Sequence, residues 1–251
     1  MRALVTNDDG VQSEGLHVLA AAAAAYGMEV TVVAPSFDAS GASASMTAVA
    51  REGKVVVENV STNESPTVLA VQGPPAFIVR AAMFGAFGPP PDLVLSGVNR
   101  GLNTGRAILH SGTVGAALTA ATYGRRGLAV SVEVEDDDSW LPDAPMVSEA
   151  LGWLTGAPEA TVLNVNVPAA GRKGRRGVRT ASLAEAGTVQ GRVSEADGGY
   201  VAVVFTGSDG EPEPGTDAAV LAEGFVSVTA VRAVVEDERV DLQALVGAFR
   251  H

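Results

Sequence analysis

The chain has 251 residues and a formal net charge of −12, from 17 basic and 29 acidic side chains. Because 47% of its residues are hydrophobic and only 18% are charged, it can bury a large core, and the acidic balance argues against general binding to the nucleic-acid backbone. It contains no cysteine, which excludes disulfides, thiolate metal sites and cysteine nucleophiles.

The first 168 residues alternate short apolar strands with helical segments. Strands are predicted at 2–6, 29–34, 92–96, 127–132 and 161–166, and helices at 14–26, 75–86, 112–123 and 144–155. Strands that are apolar on both faces and separated by helices indicate a doubly wound, Rossmann-like α/β fold with a mostly parallel sheet. The segments 53–59 and 67–71 are interpreted as a hairpin inserted between parallel strands.

The chain changes in character after Pro168, where Gly, Arg and Ser become frequent. The pattern predicts a C-terminal antiparallel extension with a strand at 200–205, a short helix, a strand at 224–231 and a terminal helix at 239–249. Such a region has little core of its own and is expected to pack on the main domain or on a partner subunit. We therefore predict a catalytic core over 1–168, with the inserted hairpin at about 53–71, and a C-terminal oligomerisation region over 169–251.

Two local runs of charge stand out from the average. The basic run RKGRRGVR, residues 172–179, is interpreted as a solvated loop, with contact to a polyanionic substrate or an acidic neighbouring subunit as the alternative. The acidic run EVEDDD, residues 133–138, is interpreted as a solvated strand exit. The sequence shows neither a secretory signal nor an apolar run of membrane-spanning length, so we expect a cytoplasmic protein with no membrane or nucleic-acid duplex as partner.

The segment NDDG, residues 7–10, directly follows the first predicted strand. Asn, Asp and Gly form tight turns, so a simple turn is one interpretation. However, ligands of open parallel sheets bind beyond the carboxyl ends of the strands, where Asp8 and Asp9 would meet side chains of two later loops, one with Ser36, Ser40, Ser43 and Ser45 and one with Asn99 and Asn103. Two carboxylates, a hydroxyl and an amide carbonyl form an all-oxygen set that suits Mg²⁺ or Mn²⁺. A cation would also allow both adjacent aspartates to stay ionised.

The segment SGTV begins the helix predicted at 112–123. A helix N-terminus presents N–H groups and a favourable dipole to phosphate, and beside the acidic loop we favour phosphate binding. The alternative is that Ser111 or Thr113 only caps the helix. His110 is placed to donate a proton to a leaving group, with ordinary loop packing as the alternative. His17 and His251 are not assigned to the site.

A collinear set of motifs resembles the SurE survival-protein family over about residues 1–232. The motifs are NDDG, SGAS (40–43), PDLVLSGVNRGLNTG (91–105), SGTVGAA (111–117), LNVNVP (163–168) and PGTDAAVLAEGFVSVT (214–229). The resemblance implies a metal-dependent phosphomonoesterase that hydrolyses nucleoside 5′- or 3′-monophosphates. It also implies one divalent cation per subunit, Mg²⁺ or Mn²⁺, and a homodimer or tetramer that exchanges its C-terminal segments.

The resemblance also implies roles for particular residues. Asp8 and Asp9 would be catalytic, and the cation would be bound by Asp8, Asp9, Ser40 and Asn99. Asn103, Ser111, Gly112 and Thr113 would lie around the phosphate. To this set we add Asn7, Gly41 and His110, from their positions in the sequence, as candidate substrate-binding residues.

Three departures from the family pattern are expected to alter the substrate rim of the site. His110 stands where tyrosine is common, Thr119-Ala120 replaces a Glu-Gly pair, and Pro74 replaces a threonine. A phosphatase for a specialised phosphate ester is therefore an alternative function.

The resemblance leaves the attacking group and some rival functions open. Water activated by the cation or by an aspartate is the simplest nucleophile, and an aspartyl-phosphate on Asp8 or Asp9 is the alternative. A haloacid-dehalogenase-type phosphatase is disfavoured because its two aspartates are separated by one residue. A receiver-like signalling module is disfavoured because Lys54 and Lys173 do not follow a later parallel strand. A catalytically silent nucleotide-binding or assembly protein is a further alternative.

Overall fold

The computed structural model describes residues 1–61, 66–134, 144–169, 176–187, 189–196, 200–207, 211–232, 234–237 and 239–242. The strands are β1 (Arg2–Thr6), β2 (Glu29–Pro35), β3 (Ala50–Arg51), β4 (Lys54–Val55), β5 (Val57–Asn59), β6 (Thr67–Val71), β7 (Leu93–Arg100), β8 (Arg126–Val132), β9 (Val162–Val167), β10 (Val178–Thr180), β11 (Val189–Ala196), β12 (Tyr200–Gly207) and β13 (Val226–Val231). The helices are α1 (Glu14–Ala25), α2 (Pro75–Met83), α3 (Gly112–Thr122), α4 (Ala144–Gly156) and α5 (Asp217–Ala222), and a 3₁₀ helix covers Gly105–His110.

Within the described residues, nine strands form one sheet in the order β10-β13-β9-β8-β7-β1-β2-β6-β5. The six consecutive strands from β9 to β6 are parallel, whereas β13 is antiparallel to β9 and β5 is antiparallel to β6. The sheet order steps outward from β1 in both directions, which is the doubly wound arrangement that the sequence predicts. The carboxyl ends of the parallel strands therefore share one edge.

Helices cover both faces of this sheet. On one face, α1 and α4 pack on a core that includes Val5, and on the other face α2 and α3 pack on a core that includes Leu4. Neighbouring residues of β1 are thus buried on opposite faces, as expected for a central parallel strand. None of the described helices is both long and apolar enough to span a membrane.

The helices and the first strands lie close to their predicted positions, but the C-terminal ends of α2 and β7 differ from the predicted ends. α2 ends at Met83, because Gly85 adopts a φ of +82° that terminates the helix before the predicted residue 86. β7 continues to Arg100 rather than ending at Ser96, and its pairing with β8 shifts register between Ser96 and Asn99. Asn99 therefore lies in a strand, not in the loop that the glycine-rich sequence suggests.

The interpretation of segments 53–59 and 67–71 as an inserted hairpin is wrong in one respect. Residues 67–71 form β6, which pairs in parallel with β2 and belongs to the main sheet. β5 then adds to β6 in the antiparallel direction, and β3 and β4 form a separate two-stranded sheet. The exposure of β6 falls along the strand, from the exposed Thr67 to the buried Ala70 and Val71, and its antiparallel partner β5 gives the two segments the sequence pattern of a hairpin.

The C-terminal region contributes both to the main sheet and to a separate hairpin. β10 and β13 extend the main sheet beyond β9, and β11 pairs with β12 in an antiparallel hairpin. The predicted domain division at residue 168 stays a prediction, because the main sheet contains strands from both sides of it. Residues 239–242 are not helical, and the rest of the predicted terminal helix lies outside the described residues, as do His251, residues 172–175 of the basic run and 135–138 of the acidic run.

Candidate active site

Loops at the carboxyl edge of the sheet converge on the NDDG turn. The backbone N–H of Ala39, after β2, donates to the carbonyl of Asp8 at 2.7 Å. The same loop reaches the segment before α3, where the Ser43 N–H donates to the His110 carbonyl at 3.2 Å and the Ser43 hydroxyl to the Leu109 carbonyl at 2.5 Å. Three loops that are distant in the sequence are therefore tied together at this edge.

Asp8 is buried against the first turn of α3. The Thr113 hydroxyl donates to Oδ1 of Asp8 at 2.5 Å, and the Thr113 N–H donates to Oδ2 at 3.2 Å. Burial raises the pKa of Asp8, and the hydrogen bonds from Thr113 oppose that rise. Gly112 permits this close approach, since a Cβ at that position would lie 2.7 Å from Oδ2 of Asp8. Helix α3 thus fixes the carboxylate from both its backbone and its side chains.

The N–H groups in the first turn of α3 form hydrogen bonds within the protein. The Ser111 hydroxyl accepts from the Val114 N–H at 3.1 Å, so Ser111 is the N-cap, the alternative considered above. The N–H groups of Thr113 and Val114 therefore have partners within the protein. The helix start holds the carboxylate of Asp8, and binding of phosphate by residues 111–113 stays a prediction.

Asp9 is partly buried beside Asp8 and has an enclosed oxygen, Oδ2, without a hydrogen-bond partner among the described residues. Burial and then the negative charge of Asp8 raise the pKa of Asp9 to about 6, and Asp38 adds to the rise, whereas the Arg100 backbone opposes it. A cation next to this oxygen would supply the missing partner and favour the ionised form.

Asn7 provides a second enclosed acceptor in the same turn. Its amide donates to the Gly10 carbonyl at 3.0 Å, while its Oδ1 is buried with no hydrogen-bond partner in the described part of the chain. Gly10 has a φ of +98°, a conformation in which glycine is favoured. The turn is therefore real, but it leaves two acceptor oxygens unsatisfied, which a turn alone does not explain.

Ser40 lies on the exposed loop after β2 and is oriented by Asp38. Both the hydroxyl and the N–H of Ser40 donate to Oδ1 of Asp38, at 2.6 and 2.8 Å. These hydrogen bonds lower the pKa of Asp38 and leave the lone pairs of the Ser40 hydroxyl available to a ligand. The sequence analysis missed Asp38, although Asp followed two residues later by Ser is a recognisable turn pattern.

The two asparagines near the end of β7 are held differently. The Asn99 amide donates to the Gly101 carbonyl at 2.7 Å, which leaves its Oδ1 as an acceptor. The Asn103 amide donates to the Ser131 hydroxyl at 2.8 Å, and the Asn103 N–H donates to Oδ1 of Asn166 at 2.7 Å. Asn103 is therefore fixed on β8 and β9, further along the same edge than the aspartates.

The other residues assigned from the sequence lie at the surface or away from the site. Gly41 is exposed with a φ of +76° and open space where a Cβ would project. His110 is exposed at the end of the 3₁₀ helix. His17 lies on α1, and its Nε2 is 3.1 Å from the Val11 carbonyl oxygen.

Two of the three departures from the family pattern are buried in this structure, and their effect on the substrate stays a prediction. Thr119 is buried in α3, where its hydroxyl donates to the Gly115 carbonyl at 2.7 Å, and Ala120 packs in the core. Pro74 is buried at the N-cap of α2. Of the three, His110 alone is exposed at the candidate site.

The oxygen donors of this edge fit a hard divalent cation. The described residues contain no cluster of three or more His, Cys, Asp or Glu side chains that could hold a metal ion. The predicted ligand set has only two such side chains, Asp8 and Asp9, beside the hydroxyl of Ser40 and the amide oxygen of Asn99. Carboxylate, hydroxyl and amide oxygens together with water are the ligands of Mg²⁺ and Mn²⁺ in proteins. The enclosed, unpaired Oδ2 of Asp9 is the structural observation that favours such a cation.

Comparison with known proteins gives three consistent findings. The family model "Survival protein SurE" matches residues 3–190. The chain is 35% identical to a 5′-nucleotidase SurE of Cereibacter sphaeroides, over 98% of this chain and 100% of that protein, and 35% identical to a 5′-nucleotidase SurE of Pseudomonas putida, over 91% of each. The crystal structure of a SurE protein from Aquifex aeolicus superposes with a TM-score of 0.80 at 25% identity, over the full length of both chains.

Proposed function

The chain belongs to the SurE family, and from that premise we propose that it is a divalent-metal-dependent phosphatase that hydrolyses nucleoside monophosphates. The observation that carries the proposal is the NDDG turn, in which Asp8 is fixed by Thr113 and Asp9 keeps an unpaired, enclosed oxygen. The relatives named 5′-nucleotidase support a nucleoside 5′-monophosphate as the first substrate to test.

The residues of the site divide between holding a cation and holding the substrate. A divalent cation bound by Asp8, Asp9, Ser40 and Asn99 would supply positive charge to a phosphoryl oxygen. Thr113 holds Asp8 in place, and Asp38 orients the hydroxyl of Ser40. Asn103 has a second amide N–H, beyond the one that it donates to Ser131, and we assign that N–H to a phosphate oxygen.

Water is the nucleophile that fits the geometry of Asp8. Both oxygens of Asp8 accept hydrogen bonds from Thr113, which draw electron density from the carboxylate and make it a weaker nucleophile. In the proposed reaction a water oxygen forms the new bond to phosphorus, and the ester oxygen leaves with a proton. The two routes differ in the stereochemistry at phosphorus: with a phosphate ester that is chiral at phosphorus, direct attack by water inverts the configuration, and we expect inversion. Net retention would instead establish two successive displacements through an aspartyl-phosphate on Asp8 or Asp9.

The substrate class is tested by phosphate release from a panel of nucleoside 5′- and 3′-monophosphates, with other small phosphate esters beside them. The assay uses Mn²⁺ or Mg²⁺ at fixed ionic strength. Nucleoside diphosphates are the controls, because an enzyme specific for monoesters does not hydrolyse them. We expect 5′-monophosphates to be hydrolysed. Phosphate release only from an ester that is not a nucleoside monophosphate would indicate the specialised phosphatase. The exposed His110 beside the site is the observation that favours this alternative. Cation-dependent nucleotide binding without turnover would indicate a silent binding protein.

The predicted homodimer or tetramer stays a prediction, and the separate β11–β12 hairpin supports it. Among the described residues β11 and β12 pair only with each other, and an isolated two-stranded hairpin is marginally stable in water. A hairpin of this kind gains stability by packing on another surface, such as a second copy of the chain. The cytoplasmic location likewise stays a prediction.

A further inference from the structure

Asp217 is a fully buried carboxylate that the proposed chemistry does not use. It is the first residue of α5, in the C-terminal region, and both of its oxygens accept backbone hydrogen bonds. Oδ2 accepts from the Gly105 N–H at 2.7 Å, and Oδ1 accepts from the N–H groups of Ala184 and Ala218, both at 2.9 Å. One side chain thus joins three segments that are far apart in the sequence.

The segment that contains Gly105 packs tightly against residues 184–187. A Cβ on Gly105, which has a φ of +59°, would lie 2.7 Å from the backbone of Ala186, and a Cβ on Gly187 would lie 2.7 Å from the Thr104 carbonyl oxygen. The Arg106 N–H also donates to the Ala184 carbonyl at 3.0 Å. Asp217 therefore fixes the contact between these two backbones from a third element.

Two residues before Gly105 is Asn103, the residue that we assign to phosphate. The Asn103 carbonyl accepts from the amides of Asn164 and Asn166, at 2.9 and 2.8 Å. Strands β8 and β9 hold the loop at residue 103, and Asp217 holds it at residue 105. The attachment at residue 105 adds to what β8 and β9 fix, because it sets the direction in which the backbone leaves Asn103.

We propose that Asp217 is a positioning residue for Asn103, through which the C-terminal region sets the affinity of the site for the phosphate group. The inference rests on the proposed function, because it requires that Asn103 contacts the phosphate. Asp217→Asn is the conservative test: it keeps the size of the side chain but replaces one acceptor oxygen by an NH₂ group. The NH₂ group would face backbone N–H donors and cannot accept from them. Depending on which oxygen it replaces, the hydrogen bond from Gly105 is lost, or the two hydrogen bonds from Ala184 and Ala218 are lost.

The experiment measures the binding of inorganic phosphate by calorimetry to the Mn²⁺-loaded protein, for wild type, Asn103→Ala, Asp217→Asn and the double variant. We expect each single variant to bind phosphate about three- to tenfold more weakly, as for the net loss of one ordinary hydrogen bond. The double variant should bind no more than twofold more weakly than Asn103→Ala, because Asp217 acts through Asn103. Mn²⁺ affinity, measured in the same way without phosphate, should stay within about twofold of wild type in all of them.

Two further variants separate positioning from general loss of stability. Thr216→Val removes the neighbouring N-cap of α5, because the Thr216 hydroxyl accepts from the Ala219 N–H and donates to the Glu213 carbonyl. The change leaves every hydrogen-bond acceptor of the Gly105 loop in place. This variant should bind phosphate as wild type does. Gly105→Ala pushes the loop away from Ala186 and should weaken phosphate binding as Asp217→Asn does. It provides the test if Asp217→Asn does not fold.

The possible failures are distinguishable. If Asn103→Ala binds phosphate as wild type does, the assignment of Asn103 is wrong and the inference falls with it. If Asn103→Ala weakens binding but Asp217→Asn and Gly105→Ala do not, or if the effects multiply in the double variant, the inference alone is overturned.

Discussion

Asp9→Asn is expected to abolish detectable cation binding and to lower phosphate release by more than about 100-fold, a larger effect than the 10- to 100-fold typical of residues that only support a metal ligand. The change keeps the shape of the side chain but replaces a carboxylate by a neutral amide at an enclosed position with an unpaired oxygen. Mn²⁺ binding by electron paramagnetic resonance and phosphate release from a nucleoside 5′-monophosphate are the two measurements. Asp92→Asn is the matched control, because Asp92 lies at the start of β7, at the opposite edge, where it bonds to Arg2.

The same variant is expected to be more stable than wild type when chelator removes all cations. The pKa of Asp9 is raised to about 6 because the ionised carboxylate is partly buried beside Asp8, so at pH 7 its charge destabilises the folded state. After allowance for the solvent exposure of Asp9, the gain in the free energy of unfolding should be about 1 kcal/mol. Thermal or urea unfolding in chelator measures it. A variant that lost both stability and activity would show that Asp9 is a structural residue.

Gly112→Ala is the second change with a large expected effect, because Asp8 occupies the space that a Cβ would need. The added atom would lie 2.7 Å from Oδ2 and 2.8 Å from Cβ of Asp8, and the second of these atoms cannot rotate away. We expect a loss of about 1–3 kcal/mol in the free energy of unfolding, as for overpacking in a core. Phosphate release should fall at least about tenfold, because the displaced carboxylate loses its bonds to Thr113.

Gly156→Ala is the control for the glycine-to-alanine change itself. Gly156 also lies in a helix, α4, and nothing would come within 4 Å of its added Cβ. Alanine in a helix is favoured over glycine by up to about 1 kcal/mol, so this variant should be neutral or stabilised with full activity. If Gly112→Ala behaves like Gly156→Ala in both assays, then Asp8 is not seated on α3 as described.

The sequence predicts the parts of this protein that follow from local pattern. The strands at residues 2–6 and 127–132 are apolar on both faces, which indicates a parallel sheet, and the parallel sheet places the NDDG turn, Ser40 and Asn99 at one edge. Ser111 is recognisable as a candidate cap. The position of the candidate site therefore follows from residue patterns alone.

The contacts that fix the site do not follow from local pattern. Thr113 meets Asp8 across 105 residues and Asp217 meets Gly105 across 112, and no single-chain periodicity records such pairs. The register shift between β7 and β8 at Ser96–Asn99 likewise depends on a neighbouring strand, because an added Cβ on Gly97 would collide with the Val130 carbonyl. The glycine-rich sequence therefore predicts a loop at Asn99, and nothing local to residues 111–114 indicates that the Thr113 N–H donates to Asp8.

The central claim is that the NDDG turn holds a divalent cation that is required for hydrolysis of a phosphomonoester. The most direct measurement is phosphate release from a nucleoside 5′-monophosphate by the wild-type protein before chelation, after chelation and after Mn²⁺ is added back. We predict that release stops in chelator and recovers when Mn²⁺ is restored, and that Asp9→Asn shows no recovery. Undiminished release in chelator, or recovery in Asp9→Asn equal to that of the wild type, would contradict the claim.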